Sequence, residues 1–232
     1  MDTFQTDIFF GSPIWKLNKP DFVADAIKAT DSHIEASKER AIKKQKEKLG
    51  DDYDKVKEHG LSYHSDNLIG VEGLKELQDY IGNSSHNLLD QQGFNMKKHT
   101  MFFTEFWVQE FADNGGGHHD THTHYDNHIS GFYFLKCSDK TSFPVFSDPR
   151  HGFNMARLEL KEDRGPYATG NDLVELKPKV GDMVFFNSYM PHQFTVDNGL
   201  DDFRFIHFNL QAVRNNIVDA IIKSNEVGLL WR

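Results

Sequence analysis

Residues 115–135 of this chain read GGGHHDTHTHYDNHISGFYFL, and five of the thirteen histidines fall within eleven of these residues. Histidine is an effective metal ligand, so this density requires a chemical reason. Alternate residues of an extended strand point to the same face, so two ligands separated by one residue can serve one metal ion. Such pairs include His118 with Asp120, His122 with His124, and His124 with Asp126.

A third ligand is available from a separate segment. The sequence GDMVFFNSYMPHQF is typical of an apolar strand, and His192 lies near its end. Arg204 follows twelve residues later, after the sequence TVDNGLDD. Asp, Asn and Gly tolerate the left-handed backbone of hairpin turns. We therefore expect His192 and Arg204 to lie on neighbouring antiparallel strands.

Arg204 belongs to the strand-like sequence FRFIHFN, in which alternation places it on the same face as Ile206 and Phe208. Its guanidinium then projects into an apolar interior, where it must meet an anion. One interpretation is the far carboxylate of a bound 2-oxo acid, which an arginine can hold by a two-pronged contact. The other is a salt bridge with one of the carboxylates of the chain itself.

This pattern is typical of a non-haem iron site, because it combines two closely spaced ligands with a distant histidine and an arginine. Iron(II) held on one side by three side chains keeps coordination positions open for a bidentate 2-oxo acid and for dioxygen. The simpler alternative is an exposed histidine-rich loop with adventitious metal affinity. The order of His192 and Arg204 after the histidine-rich segment favours the iron site.

An ordered set of motifs, from about residue 60 to residue 210, resembles the iron(II)- and 2-oxoglutarate-dependent oxygenases. The similarity is greatest to a bacterial and phage group that resembles prolyl hydroxylases, although the family usually has one more residue between its arginine and Phe-Asn. The matching pieces are Trp107, Gly116, His122-Thr-His124, Ser130-Gly131-Phe-Tyr133-Phe-Leu135, Asp148-Pro149-Arg150, Gly181-Asp182, His192, Arg204 and Phe208-Asn209.

The resemblance implies iron(II), 2-oxoglutarate as cosubstrate and dioxygen, with ascorbate as a candidate reductant. It favours His122, His124 and His192 as the metal ligands, and it assigns no catalytic residue beyond them. Two alternative ligand sets stay open, one of His124, Asp126 and His192 and one of His118, Asp120 and His192.

The cosubstrate contacts implied by the resemblance are equally specific. Arg204 would anchor 2-oxoglutarate, and Tyr133 and Asn187 would hydrogen-bond it from the barrel wall. The alternative for Tyr133 is a buried tyrosine whose hydroxyl is satisfied within the core. Arg150 is a candidate for the substrate side of the site. Each of these roles requires the side chain to face the metal.

The expected reaction is hydroxylation of an unactivated C–H bond, coupled to decarboxylation of 2-oxoglutarate to succinate. The resemblance favours a peptidyl proline or another peptide side chain as substrate, and a small molecule stays open. Two other functions are alternatives. One is a cupin-like enzyme with three histidine ligands that does not use 2-oxoglutarate, and the other is a non-catalytic, metal-dependent binding module.

Strands that follow a run of helices predict a mainly β fold. We expect a double-stranded β-helix, or jelly roll, with N-terminal helices packed on one sheet. The 232 residues are expected to form one oxygenase domain over residues 1–232. We expect an N-terminal arm and helices over 1–95, a jelly-roll core over 96–212 and a C-terminal helix over 213–232.

Composition narrows the partners and the compartment. The formal net charge of −9 disfavours nucleic acid and anionic membranes as partners. The single cysteine, Cys137, fits a reducing compartment, and no signal peptide or membrane span is recognisable. We therefore expect a cytoplasmic protein that binds a small-molecule or peptide substrate, with an oligomer as an open possibility.

Overall fold

The computed structural model describes residues 5, 7–150, 158–166 and 168–223. Within them the strands are β1 Ile14–Asn18, β2 Ser62–His64, β3 His99–Phe111, β4 His119–His122, β5 Ile129–Lys136, β6 Pro144–Ser147, β7 Leu173–Glu175, β8 Asp182–Asn187, β9 His192–Phe194 and β10 Arg204–Arg214. The α-helices are α1 Val23–Leu49, α2 Tyr53–Val56, α3 Lys75–Gln91 and α4 Asn215–Lys223. Short 3-10 turns occur at Pro20–Phe22, Gly50–Asp52, Glu72–Leu74 and Met96–Lys98.

Two of the sequence predictions concern segments that are only partly described. The N-terminal arm contains β1, while residues 1–4 and 6 lie outside the described part. The predicted C-terminal helix overlaps α4, and residues 224–232 lie outside the described part. Residues 151–157 and 167 are likewise outside it.

The strands form two antiparallel sheets. One has six strands in the order β1-β8-β5-β10-β3-β2, and the other has four in the order β4-β9-β6-β7. Phenylalanines from both sheets meet between them, for example Phe132 of β5 and Phe194 of β9, whose ring centroids are 4.9 Å apart. The predicted mainly β jelly roll is therefore confirmed.

The helices cover the outer face of the six-stranded sheet, as predicted. The spacing of apolar residues in α3 gives that helix one buried side, which includes Leu77 and Ile81. These side chains pack in an outer core between the helices and the sheet, with members Ala26, Ile34, Leu74, Leu77, Ile81, Phe106, Val108, Ile206 and Phe208. None of the described helices is both long and apolar enough to cross a membrane.

A second cluster, the inner core, fills the space between the two sheets. Its members are mainly phenylalanines: Phe111, Phe132, Phe134, Phe146, Val184, Phe186, Met190, Phe194, Phe203 and Phe205. Strand β10 contributes to both cores, because its successive side chains point to opposite faces. Ile206 and Phe208 belong to the outer core, whereas Phe205 belongs to the inner core.

Arg204 lies on the outer face, with Ile206 and Phe208. Its guanidinium donates Nε–H to Glu110 and Nη1–H to Asp31 of α1, the latter at 2.5 Å. Arg204 and Glu110 are both buried, and Lys38 of α1 contacts the second oxygen of Glu110 at 2.6 Å. This ion network joins α1 to the sheet.

Replacement of Arg204 by alanine should reduce the free energy of unfolding by about 1.5 to 3 kcal/mol, because the buried Glu110 would keep Lys38 as a partner but lose its hydrogen bond from the arginine. Equilibrium unfolding in urea measures this difference. Arg214→Ala is the matched control, since Arg214 is exposed at the other end of the same strand. The control should change stability by no more than about 0.5 kcal/mol. Equal effects of the two substitutions would contradict a stabilising network.

Candidate metal centre

Strands β4 and β9 bring three histidines together. His122 of β4 pairs directly with His192 of β9, and His124 follows two residues beyond His122. The backbone N–H of His124 donates to the carbonyl oxygen of Ser188 at 3.0 Å, which holds this turn against the end of β8. The ligand atoms of His122, His124 and His192 all lie within 4.8 Å of one another.

Hydrogen bonds orient these imidazoles. Nδ1 of His122 is 2.7 Å from the carbonyl oxygen of Asp120, and Nδ1 of His192 is 3.0 Å from that of Met190. A ring whose Nδ1–H donates to a carbonyl presents an unprotonated Nε2, the atom that binds a metal. Within the described residues, Nε2 of His124 and Nε2 of His192 are buried without a hydrogen-bond partner.

Burial keeps two of the three imidazoles neutral. It lowers the pKa of His192 to about 3. The hydrogen bond to the Met190 carbonyl oxygen raises this pKa, and the neighbouring imidazoles lower it further. Burial also lowers the pKa of His124 to about 4, together with the nearby imidazoles of His122 and His119. A metal ion requires unprotonated imidazole, so this environment prepares the ligands at neutral pH.

The donor set fits iron(II). Imidazole is a suitable ligand for divalent iron, and three ligands leave coordination positions for other molecules. The unpartnered nitrogens would otherwise remain unsatisfied, and buried polar atoms without partners destabilise a protein. The same set would also accept other divalent transition-metal ions.

A cleft of about 650 Å³ adjoins His124. It is bounded in part by exposed aromatic side chains that we call the aromatic rim: Phe94, Tyr125 and Tyr189. Asn187 also lines this cleft, and its Oδ1 is buried without a hydrogen-bond partner among the described residues. The metal position is therefore next to a space in which a larger molecule can bind.

The alternative carboxylates are not part of the three-histidine group. Nε2 of His118 lies 3.8 Å from Oδ1 of Asp120, and the side chain of Asp120 is 98% exposed. Asp126 is exposed and lines the cleft, with φ at 59°, a left-handed conformation that aspartate tolerates. Among the described residues, neither aspartate belongs to a group of converging ligand atoms.

The structure corrects the expected positions of Arg204 and Tyr133. The strands of His192 and Arg204, β9 and β10, are not neighbours as expected, because they belong to different sheets. Arg204 and Tyr133 both lie on the outer face of the six-stranded sheet, because Tyr133 is paired with Ile206, which belongs to the outer core. Arg204 is bound to Glu110 and Asp31, and the hydroxyl of Tyr133 donates to the carbonyl oxygen of Lys19 at 2.7 Å. Neither side chain faces the histidines.

Arg150 lies near a second cleft. Its Nε donates to Asp148 at 2.9 Å, and both residues line this cleft together with Phe9 and Phe10 of the N-terminal arm. Pro149 also lines the cleft beside His124. The segment that carries Arg150 therefore lies close to the mouth of the histidine site.

Three polar residues to which the sequence assigned no role lie beside His124, namely Glu105, His207 and Asn209. Strand β3 places Glu105 opposite Asn209 and Trp107 opposite His207 on β10. Their alternation with Ile206 and Phe208 indicates that they face the inner side of the sheet. That alternation was visible in FRFIHFN, but His207 has no ligand partner nearby in the sequence.

The metal-free protein should lose stability as the pH falls from about 6.5 to about 4.5. An unfolded imidazole has a pKa near 6.5, above that of folded His192, so the unfolded chain binds the proton first. Urea unfolding with a chelator present measures this loss. The His192→Leu protein lacks this imidazole. Over the same pH range, its free energy of unfolding should therefore fall by at least about 1.4 kcal/mol less than that of the wild-type protein, the equivalent of one pKa unit. Parallel profiles for the two proteins would contradict the prediction.

One family model matches the central part of the chain. Its description is "Putative 2OG-Fe(II) oxygenase", and it matches residues 105–209. This span runs from within β3 into β10 and includes His122, His124 and His192. No curated protein matches the chain.

Several solved structures are similar in fold. A non-heme monooxygenase, the ThoJ-Ni complex, is 8% identical with 88% of this chain and 76% of that chain covered, at a TM-score of 0.52. AviO1 from Streptomyces viridochromogenes Tue57 is 12% identical, with 86% and 90% covered, at 0.50. A prolyl-4-hydroxylase from Pseudomonas putida is 12% identical, with 86% and 93% covered, at 0.48.

At such low identities, the two likenesses with TM-scores of 0.52 and 0.50 show a shared fold alone. The family match spans the strands that carry the three histidines. Over residues 105–209, which are less than half of its 232 residues, the chain is therefore similar to the putative 2OG-Fe(II) oxygenases that the family model describes.

Proposed function

We propose that this chain is an iron(II)- and 2-oxoglutarate-dependent oxygenase that hydroxylates an unactivated C–H bond, with His122, His124 and His192 as the ligands of its iron. The observation that carries the proposal is the convergence of their ligand atoms within 4.8 Å, beside a cleft. The family implies iron(II), 2-oxoglutarate and dioxygen as metal, cosubstrate and oxidant. When bound, they supply a coupled oxidation of 2-oxoglutarate and substrate.

The protein's contribution is to hold the ligands and to keep water from one side of them. Phe132, Phe146 and Phe186 surround His192, with ring centroids 4.8 to 5.7 Å from the imidazole. These rings exclude water behind His192, and the carbonyl oxygen of Met190 holds its tautomer. The cleft lies on the side of His124, so substrate and cosubstrate would enter there.

We do not assign Arg204 as the anchor for the cosubstrate, because its guanidinium is bound to Glu110 and Asp31. Among the described residues that line the cleft there is no lysine or arginine. Asn187 does line it, and its side-chain amide can donate to a carboxylate. We propose Asn187 as a cosubstrate contact, and we assign no cationic partner to the second carboxylate of 2-oxoglutarate.

The substrate class follows from the cleft. Its aromatic rim, Phe94, Tyr125 and Tyr189, is exposed and offers flat apolar surfaces with hydroxyl groups. Asp126 contributes the formal negative charge of an exposed carboxylate at the same place. Such a surface favours a neutral or cationic substrate with an apolar part, such as a peptide side chain, including proline, or a small molecule.

Anaerobic titration of the iron(II) protein with 2-oxoglutarate should produce the weak visible charge-transfer band of a chelated 2-oxo acid. With dioxygen, succinate should form. His192→Ala should lower the rate of succinate formation by more than the roughly 10- to 100-fold that loss of an outer partner costs. His118→Ala is the control, because His118 is exposed and outside the three-histidine group. Its rate should be unchanged.

Other outcomes identify other functions. If iron binds but neither the band nor succinate appears at any concentration, the 2-oxoglutarate oxygenase proposal fails. Metal-dependent oxidation without 2-oxoglutarate would then favour a cupin-like enzyme with three histidine ligands. Metal binding without any turnover would favour a binding module.

A further inference from the structure

A second group of ligand atoms lies beside the first. Glu105, His124 and His207 also place their ligand atoms within 4.8 Å of one another. His124 is common to both groups. The second group offers two imidazoles and one carboxylate, a donor set that non-haem iron sites commonly use.

His207 is a buried histidine whose ring nitrogens have no hydrogen-bond partner among the described residues. It is 1% exposed, and its ring lies between Trp107 and His124, at centroid distances of 4.4 and 4.7 Å. Its Nε2 is 3.8 Å from Oε2 of Glu105. A buried imidazole without a partner is costly, and an ion between these groups would satisfy it.

Asn209 marks the place of such an ion. Its Nδ2 is 2.6 Å from Oε2 of Glu105 and 3.1 Å from Nδ1 of His124, while its Oδ1 is buried without a partner. Rotation of the amide by half a turn exchanges the two atoms and directs Oδ1 to the same place. Ligands of one ion at about 2.1 Å lie roughly 3 Å from each other, similar to these distances.

The two ring nitrogens of His124 belong to different groups of ligand atoms, one to each. Nδ1 lies 3.1 Å from Nδ2 of Asn209, which also contacts Glu105, whereas Nε2 is buried without a hydrogen-bond partner among the described residues. His122 and His192 have their Nδ1 atoms at carbonyl oxygens and so present Nε2 to the first position. A neutral imidazole has one lone pair for a metal, so His124 can serve one position at a time.

We propose that Glu105, His124 and His207, with Oδ1 of Asn209, form a second position for a divalent transition-metal ion. This position competes with the three-histidine position for His124. The inference goes beyond the proposed function, because it assigns no step of the oxygenase reaction to the second position. It also adds a carboxylate ligand that the histidine-rich segment does not contain.

The test uses a variant that lacks one ligand of the three-histidine position, and this ligand is not shared with the second position. His122→Ala removes such a ligand, and His122 is only partly buried and belongs to neither core. Metal-free His122→Ala is titrated with cobalt(II), and bound ions are counted from the visible spectrum and by metal analysis. It should bind one ion per chain. Adding Glu105→Gln should weaken that binding at least 10-fold, whereas Glu105→Gln alone should weaken binding less than 3-fold.

The matched control for lost charge is Asp120→Asn in the same background. Asp120 is in the same segment as His122, its side chain is 98% exposed, and it belongs to neither ligand group. This control should leave the cobalt affinity unchanged. Thermal unfolding establishes that each variant is folded, and His122→Leu replaces the alanine variant if the latter is not.

Two results would overturn the second position. One is a folded His122→Ala chain that binds no cobalt. The other is binding that Glu105→Gln and Asp120→Asn affect equally. Both results are independent of succinate formation, so failure of this inference leaves the proposed function standing, and the reverse also holds.

Discussion

The structure depends on strand β10, whose side chains pack into both the outer core and the inner core. Strand β10 lies between β3 and β5 in the six-stranded sheet, so neither of its edges is free. Its outward side chains anchor the helices through Arg204, Ile206 and Phe208. Its inward side chains, which include Phe205 and His207, face the other sheet and the histidines. A shift of register by one residue would exchange these two sets, so the helix contacts and the metal centre constrain each other.

Much of the fold was predictable because its causes are local in sequence. The phenylalanine-rich sequence of β3 is typical of a strand, and the helical spacing of apolar residues in α3 indicates the side of that helix that faces the sheet. The grouping of His122 with His124 was also accessible, since residues two apart share a face of an extended segment. His192 required knowledge that β4 and β9 pair, which the order of the motifs supplied through resemblance rather than through spacing.

Arg204 shows where sequence reasoning stops. Alternation correctly placed it with Ile206 and Phe208 and required an anion for it, but a jelly roll with a helical layer has two apolar interiors. The partners that decide between them, Asp31 and Glu110, are 173 and 94 residues away in the sequence. The salt-bridge interpretation was the right one. Glu105 and His207 were missed for the same reason, because 102 residues separate these neighbours.

The central place of β10 also bears on how the chain folds during synthesis. Of the described strands, β10 is the last in sequence, yet it pairs with β3 and β5, which are made much earlier. The facing edges of β3 and β5 therefore stay unpaired until β10 has left the ribosome, and such edges are prone to aggregate. Pairing over such separations is also slow. Chaperones that shield strand edges should consequently matter more for this protein than for a helical protein of equal length.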